Sequence, residues 1–425
     1  FDPGALSSGV VMRQNFLSRY WPVPTYDPVR QVTTSSPFLS NNLDATGRMG
    51  GTQYFASVSQ LRQNGSIRML HGYERFTSRL NVDQRVGSNL SLAFRSFYSR
   101  GRSDGRNNDN NGNLFFRITR QPASANLLAR DTVGRLYMRS NIMDQGLQNQ
   151  NPLMYTTGNG YMDPSVNDRF LGGGTLRWQP LSWVDIEANF SYDRNVTKND
   201  TYTPKGFRNQ RVAEGSYIGS IFAGLDGREA TNSSVNLTLR RNVGRDFLTR
   251  WNFRYLFERE DSWSRSLSGN TLAVIGVDAA SNATLNYSVG SSRSSQRLMG
   301  LFAGANFEFK GRYILDVLIR RDGSSLFGET NRWATFGRAS VAYRVSEESW
   351  WPWRNMLNDF KIRASYGSAG GRPPFSAQYE TYTIGTGGSL APGQFGNANL
   401  RPETNTEREV GVDMELFRRV GVNFN

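Results

Sequence analysis

The chain has 425 residues, 50 Lys and Arg against 36 Asp and Glu for a net charge of +14, a single histidine and no cysteine. Without cysteine it holds neither a disulfide framework nor a thiolate metal site, and a lone His71 beside Gly72 reads as a loop residue rather than a centre for histidine-based metal or triad chemistry. Hydrophobic content is 37% with mean hydropathy −0.55, and no run of about 18 apolar residues exists, so no helix crosses a membrane; a crossing made of strands stays open, because every second barrel residue can be polar.

Residues 1–37 hold Pro3, Pro22, Pro24, Pro28 and Pro37 without periodicity and read as a connector; from residue 38 to 425 no change of character marks a second domain. A strand over Phe38–Arg48, a turn at Gly50-Gly51 and a strand over Gln53–Leu61 open the series. Phe76, Ser78, Leu80 and Val82 then oppose Thr77, Arg79, Asn81 and Asp83. That two-residue period is the period of a strand. After Gly87-Ser88 come Leu90, Leu92 and Phe94. Residues 101–167, rich in Asn, Gly, Arg and Asp, read as a long loop of the kind that is functional or disordered.

The alternation is cleanest where Val184, Ile186, Ala188, Phe190 and Tyr192 oppose Asp185, Glu187, Asn189, Ser191 and Asp193. A second long loop is expected over 195–228. Val235, Leu237 and Leu239 lead to a turn at Gly244. Trp251, Phe253 and Tyr255 then oppose Arg250, Asn252 and Arg254. A third long loop is expected over 259–295, followed by Leu301, Ala303, Ala305 and Phe307, and the turn Lys310-Gly311-Arg312.

Tyr313, Leu315, Val317 and Ile319 share one face, with Asp316 and Arg320 on the other. The segment RRDGSSLFGETNRW reads as a loop, and Ala339, Val341 and Tyr343 resume the alternation. Trp350, Trp351 and Trp353 stand in the next connection. Phe360, Ile362, Ala364 and Tyr366 precede a fourth long loop over 368–403, and Val410, Val412, Met414 and Leu416 oppose Glu409, Asp413 and Glu415.

The pattern yields about fourteen strands, nearly all long enough for the about 9–11 residues of a bilayer crossing. Short and long connections alternate, as in transmembrane barrels; a soluble sandwich has no reason to put its long loops at every second connection. Tyr192, Trp178, Trp183, Trp251, Tyr343 and Trp350 cluster near strand ends, as an interfacial girdle requires. Charges such as Asp185, Glu187, Arg250, Arg363 and Asp413 lie on the opposite face, where a lumen supplies water. The expected fold is therefore an all-β, antiparallel transmembrane barrel in the outer membrane of a Gram-negative-type bacterium. Lysine occurs only at Lys198, Lys205, Lys310 and Lys361, and the arginines are spread along the chain rather than gathered in a run, which argues against a nucleic-acid partner and for outer-membrane lipid.

Four stretches, Arg320–Phe336 (RRDGSSLFGETNRWATF), Phe360–Gly367 (FKIRASYG), Gly396–Thr404 (GNANLRPET) and Glu409–Asp413 (EVGVD), resemble in order and spacing the SusC/RagA family of TonB-linked outer-membrane proteins. The resemblance is strongest from about residue 313 to 416. It implies a 22-stranded barrel of the plugged-transporter kind, import of glycan fragments or peptides driven by a TonB complex, and a SusD-like lipoprotein lid. By that standard the chain is expected to be a portion of a longer protein: plug and TonB-contacting segment are missing from it, residues 1–37 resemble the passage from plug to barrel, and about eight strands would follow Asn425.

Candidate sites are few. Asn107, Asp109, Asn111 and Gly112 occupy positions 1, 3, 5 and 6 of a calcium loop, but the twelfth position is Ile118 instead of Glu, so a solvated turn is the stronger reading. RRDGSS could cradle an anion; a structural hairpin with Arg320 and Arg321 near Asp322 is the stronger reading. The loop aromatics Tyr155, Tyr161, Tyr202, Trp263 and Tyr379 either stack on a ligand or pack under their own loops. Trp350, Trp351 and Trp353 fall on the short-turn side and read as interface anchors. No nucleophile triad, paired-carboxylate set, metal cluster or P-loop emerges, so no enzyme activity and no cofactor is expected. A TonB-dependent receptor for an iron chelate or cofactor, and a non-transporting surface scaffold or adhesion barrel, are the competing functions.

Overall fold

The computed structural model of the 425-residue chain describes residues 24–104, 118–119, 121–130, 132, 134, 136, 151–155, 161–205 and 218–425. It opens with a one-turn helix, α1 (Pro28–Val32), whose N-terminus is capped by the Asp27 carboxylate accepting from the Val29 and Arg30 amides at 2.9 and 3.3 Å. Pro28 suits the first helical position because its missing N–H would have no partner there. Strands follow: β1 (Phe38–Met49), β2 (Thr52–Gln63), β3 (Tyr73–Val86), β4 (Leu90–Asp104), β5 (Pro164–Leu181), β6 (Val184–Thr203), β7 (Ser220–Val243) and β8 (Phe247–Leu272). The series continues with β9 (Ala283–Phe309), β10 (Tyr313–Ser324), β11 (Trp333–Arg344), β12 (Leu357–Gly370), β13 (Tyr382–Ile384), β14 (Leu390–Pro392), β15 (Thr404–Leu416) and β16 (Val420–Phe424).

Fourteen of these form one antiparallel sheet in which every strand pairs with its neighbours in sequence, β12 pairing with β15 across the small β13–β14 hairpin. β1 and β16 are the two edges, so the sheet does not close on itself. The register explains why one face is apolar. One lateral row runs Leu239, Trp251, Ala305, Val317, Ala339 and Tyr366 through six consecutive strands. A row three residues along, on the other face, runs Asn236, Arg254, Phe302, Arg320 and Phe336. Because successive side chains alternate faces, the hairpin turns align the apolar positions of all strands at once.

Among the described residues, nothing packs over the apolar face. Leu80, Phe94, Phe190, Val235, Trp251, Phe253, Leu301, Val341 and Val410 are all exposed. A soluble protein does not tolerate a contiguous apolar wall of this extent, whereas lipid does. The buried apolar cores instead sit at the long-loop end. One joins Val32 of α1 to Ile67, Ile118, Leu127, Leu136 and Leu153, and the other joins Tyr202, Ile221, Leu272 and Ala283. Buried Gln31 fastens the first: its side-chain amide donates to the Ala125 carbonyl at 3.0 Å, and its oxygen accepts from the Leu127 amide at 2.8 Å.

Three expectations about loops are corrected. The loop expected over 259–295 is mostly sheet: β8 and β9 remain paired from Phe247–Phe309 out to Leu272–Ala283, and only residues 273–282 connect them. The loop expected over 195–228 shrinks to 204–219. The segment beginning RRDGSS is strand as far as Ser324. The reason is common to all three. Beyond the lipid-facing section both faces of a hairpin meet water, so the apolar–polar alternation disappears while the backbone ladder continues.

Candidate functional site

The polar face is built from hairpin geometry. The ladder register fixes which residues of neighbouring strands meet on this face, and oppositely charged pairs result. Arg177 on β5 donates to Glu187 on β6 at 2.9 Å, Arg169 to Asp193 at 2.7 Å and Arg338 on β11 to Asp316 on β10 at 3.0 Å. Arg240 on β7 pairs with Asp185 on β6. On β12, Arg363 reaches both Glu409 and Asp413 of β15, and Lys361 also binds Asp413 at 2.7 Å. Most of these groups are about half exposed, so each pair contributes at most about 1 kcal/mol. Their effect is to hold a hydrated, two-signed wall in place.

One hollow of about 740 Å³ is lined by Arg85, Arg177, Asp185, Asn236, Arg254 and Leu318, side chains drawn from β3 to β10. Residues spread over eight strands can border one hollow only if the sheet curls with its polar face inward. A second hollow of about 830 Å³ lies beside it, bounded by Arg320, Phe336, Arg338, Ser365 and Glu407, with Leu318 bordering both. Between them the wall carries a cation–aromatic row: the Arg320 and Arg254 guanidinium carbons lie 4.6 and 5.8 Å from the centre of the Phe302 ring. Arg372, in the long 371–403 connection, reaches across to Glu258 of β8 at 3.3 Å, placing that loop over the concave side.

Phe302, Leu318 and Phe336 are the site residues that periodicity passed over. Each is apolar on the polar face, and the signal was there to see: each breaks the alternation of its own strand. The sequence put charges such as Asp185, Glu187, Arg363 and Asp413 on this face, but their partners come from the ladder register across connections as long as 371–403.

Tyr161, Tyr202, Trp263 and Tyr379 are not brought together. Tyr161 and Tyr202 are buried in the long-loop end. Trp263, on β8, covers Gly227 of β7, with the Arg265 guanidinium 5.5 Å from its ring; it shares the face of Trp251 and Phe253 and points away from the hollows. Tyr379 is exposed, its ring 6.0 Å from that of Phe375. Tyr155 ends a 3₁₀ turn, Pro152–Tyr155. Asn107, Asp109 and Asn111 lie outside the described residues; among the described ones, no three His, Cys, Asp or Glu side chains are grouped to hold a metal. Of the three connection tryptophans, Trp350 and Trp353 are exposed, while Trp351 is buried and stacks on Phe360 at 5.4 Å.

A family model described as the TonB dependent receptor-like β-barrel matches residues 94–425. The chain belongs to this family. Among its relatives, TonB-dependent receptor P39 of Formosa agariphila is 23% identical over 423 residues, covering 93% of this chain and 37% of that protein. TonB-dependent receptor SusC of Bacteroides thetaiotaomicron is 30% identical over 128 residues, 27% of this chain and 13% of that one. Among solved structures, the RagAB peptide transporter superposes with a TM-score of 0.71 at 15% identity, over 95% of this chain and 45% of that chain. RagAB as a peptide importer in its closed-closed state gives 0.72 at 16%, over 93% and 44%. At these identities the likeness establishes the fold. The chain thus spans 37% to 40% of the length of the first two curated relatives.

Proposed function

We propose that this chain is the larger part of the wall of a TonB-dependent importer in the outer membrane, carrying oligomeric nutrients, either glycan fragments or peptides, with a SusD-like lipoprotein over its mouth. In this reading the long-loop end is extracellular, the short turns are periplasmic, and residues 1–37 enter the barrel from the side of a plug carried elsewhere in the protein. The observation that carries it is the wide concave face with both signs of charge and the Arg254–Phe302–Arg320 row. Oligosaccharides and peptides both present polar groups at regular intervals along an extended chain, together with patches that stack on aromatic rings and guanidinium planes. A wall alternating cation, ring and carboxylate matches that chemistry. The polar loop segments and the absence of a grouped metal-ligand set among the described residues give no separate support to a chelate receptor.

A strain lacking the whole protein tests this. It should lose growth on at least one polysaccharide or protein hydrolysate as sole nutrient, and keep growth on the corresponding monomers. Loss confined to iron-limited medium would establish the chelate receptor instead. Unchanged growth everywhere, with altered surface attachment, would establish the scaffold.

A further inference from the structure

The outer wall carries a second kind of hollow. About 690 Å³ in volume, it lies at the short-turn rim and is bounded by Phe309, Tyr313, Leu315, Val341, Tyr343 and Ala364. That volume is within the about 300–1,000 Å³ of ordinary small-molecule sites. Its shape follows from the sequence. Ala364 on β12 and Leu315 on β10 leave a low floor on the apolar face. Along the rim, Phe309, Tyr313 and Tyr343 stand in a row, with ring centres 6.2 and 4.8 Å apart. The Tyr313 and Tyr343 hydroxyls turn away from the floor, donating to Glu348 at 2.7 and 3.3 Å. The hollow is thus apolar within and polar only at its rim.

The rim also carries cations, interspersed with the acidic residues Asp246 and Glu348. The Lys310 ammonium lies 5.2 Å from the centre of the Phe309 ring, on the outer side of the sheet. The Lys310 amide donates to the Asp246 carbonyl at 2.7 Å, which brings the turn holding Arg245 alongside. Arg312, the other cation of the Lys310 turn, is held by Glu348 at 2.6 Å. A comparison on the same wall sharpens the point. A smaller hollow of about 440 Å³ beside Phe94, Leu176, Ala188 and Phe190 is equally apolar, but the turns next to it, 87–89 and 182–183, contain no Lys or Arg.

We propose that the rim hollow is a specific site for one anionic phospholipid, an acyl chain lying over Leu315, Val341 and Ala364 and the phosphate at Lys310 and Arg245. Aromatic rings at the interface and basic groups at headgroup depth are the elements of such recognition. The inference rests on the reading that the apolar face meets lipid.

The test uses the full-length protein, extracted in detergent, stripped of lipid and titrated with dioleoylphosphatidylglycerol or dioleoylphosphatidylcholine under native mass spectrometry. One phosphatidylglycerol should remain bound under activation that removes phosphatidylcholine. Lys310→Gln combined with Arg245→Gln should lower its occupancy roughly tenfold. Ala364→Phe, which fills the floor, should remove it, while Ala188→Phe in the other hollow should leave it. Occupancy unchanged by either the charge or the floor variant, or equal retention of both lipids, overturns the site. Each variant is also run on a gel before and after boiling. Heat-dependent migration shows that the barrel is intact, and its absence in the unmutated protein would refute the barrel reading rather than the lipid site.

Discussion

Phe253 and Arg254 are adjacent residues placed in different solvents. Phe253 pairs laterally with Leu237 and Ala303 on the apolar face and is 42% exposed there, whereas Arg254 pairs with Asn236 and Phe302 on the polar face, its guanidinium carbon 5.8 Å from the centre of the Phe302 ring. Arginine on the lipid face near the bilayer midplane costs about 2–4 kcal/mol. Removing the Arg254 cation forfeits its contact with the Phe302 ring, worth about 0.5–1 kcal/mol at a hydrated site. Phe253→Arg should therefore lower barrel yield and urea stability in a bilayer well beyond the effect of Arg254→Phe. Equal tolerance would count against a lipid-facing wall, and greater damage from Arg254→Phe would mean that the faces are exchanged, the result of a one-residue slip in register. This assignment was legible from the sequence because the period is two and no charge falls on the apolar positions of β8 from Phe247 to Phe257; Arg259, Asp261 and Arg265 share that face only farther along the strand, toward the long-loop end. Phe302 and Phe336 were harder to place, since an aromatic residue on the polar face has the same composition signal as one on the lipid face.

At the scale of elements, strand existence was legible and strand length was not. Hydrophobic alternation reports only the part of a strand with lipid on one side, so β8 and β9, at 26 and 27 residues, looked like short strands bounding a loop. The connection 345–356 shows a second limit. Its tryptophans were visible, but the ion cluster under them was not, because its members come from three separate segments. Glu348 accepts from Arg312, Tyr313 and Tyr343, tying the connection to the ends of β10 and β11. The Tyr313 hydroxyl, with the Arg312 charge in support, holds the Glu348 carboxyl below its ordinary range, against desolvation acting the other way. A folded-state value below the unfolded value of about 4.3 makes the unfolded chain take up the proton first. The contribution to stability is therefore complete above about pH 4.3 and is lost as the pH falls through the folded-state value. Glu348→Gln should flatten the acid limb of thermal stability below that pH and leave the slope near neutrality unchanged. Melting curves of heat-dependent gel migration across this range check it, and parallel acid limbs for the two proteins would refute the role.

The shape of the whole molecule is set by a relation that no local pattern announces. Arg372 and Glu258 are 114 positions apart and meet at 3.3 Å. The strands near them, β8 and β12, are four ladder steps apart in the sheet, about 19 Å if the sheet were flat. The contact exists because the sheet curls and the 371–403 connection turns inward across the concave face from the end of β12. Gln378 continues the same path, donating to the Ser325 carbonyl at 2.7 Å, and Asn331 donates to the Asn399 carbonyl at 3.0 Å, so the loop is fastened to the β10–β11 connection as well. Gly- and Pro-rich composition marked this stretch as a loop, but composition carries no information about which wall a loop leans on. The Arg372–Glu258 pair is 52% and 35% exposed, which limits its worth to about 1 kcal/mol and makes it suited to opening and closing rather than to permanent closure. Glu258→Gln should then shift the loop toward its open position by up to about fivefold. The measurement is the rate at which a protease added outside intact cells cuts within residues 371–403. Glu258→Gln and Arg372→Gln should each raise that rate, and the double variant should raise it no further than the single ones, because either change alone removes the same contact. Rates equal to the unmutated protein would show that the fastenings at Ser325 and Asn399 hold the loop without it, and additive rates would show that the two side chains act on separate partners.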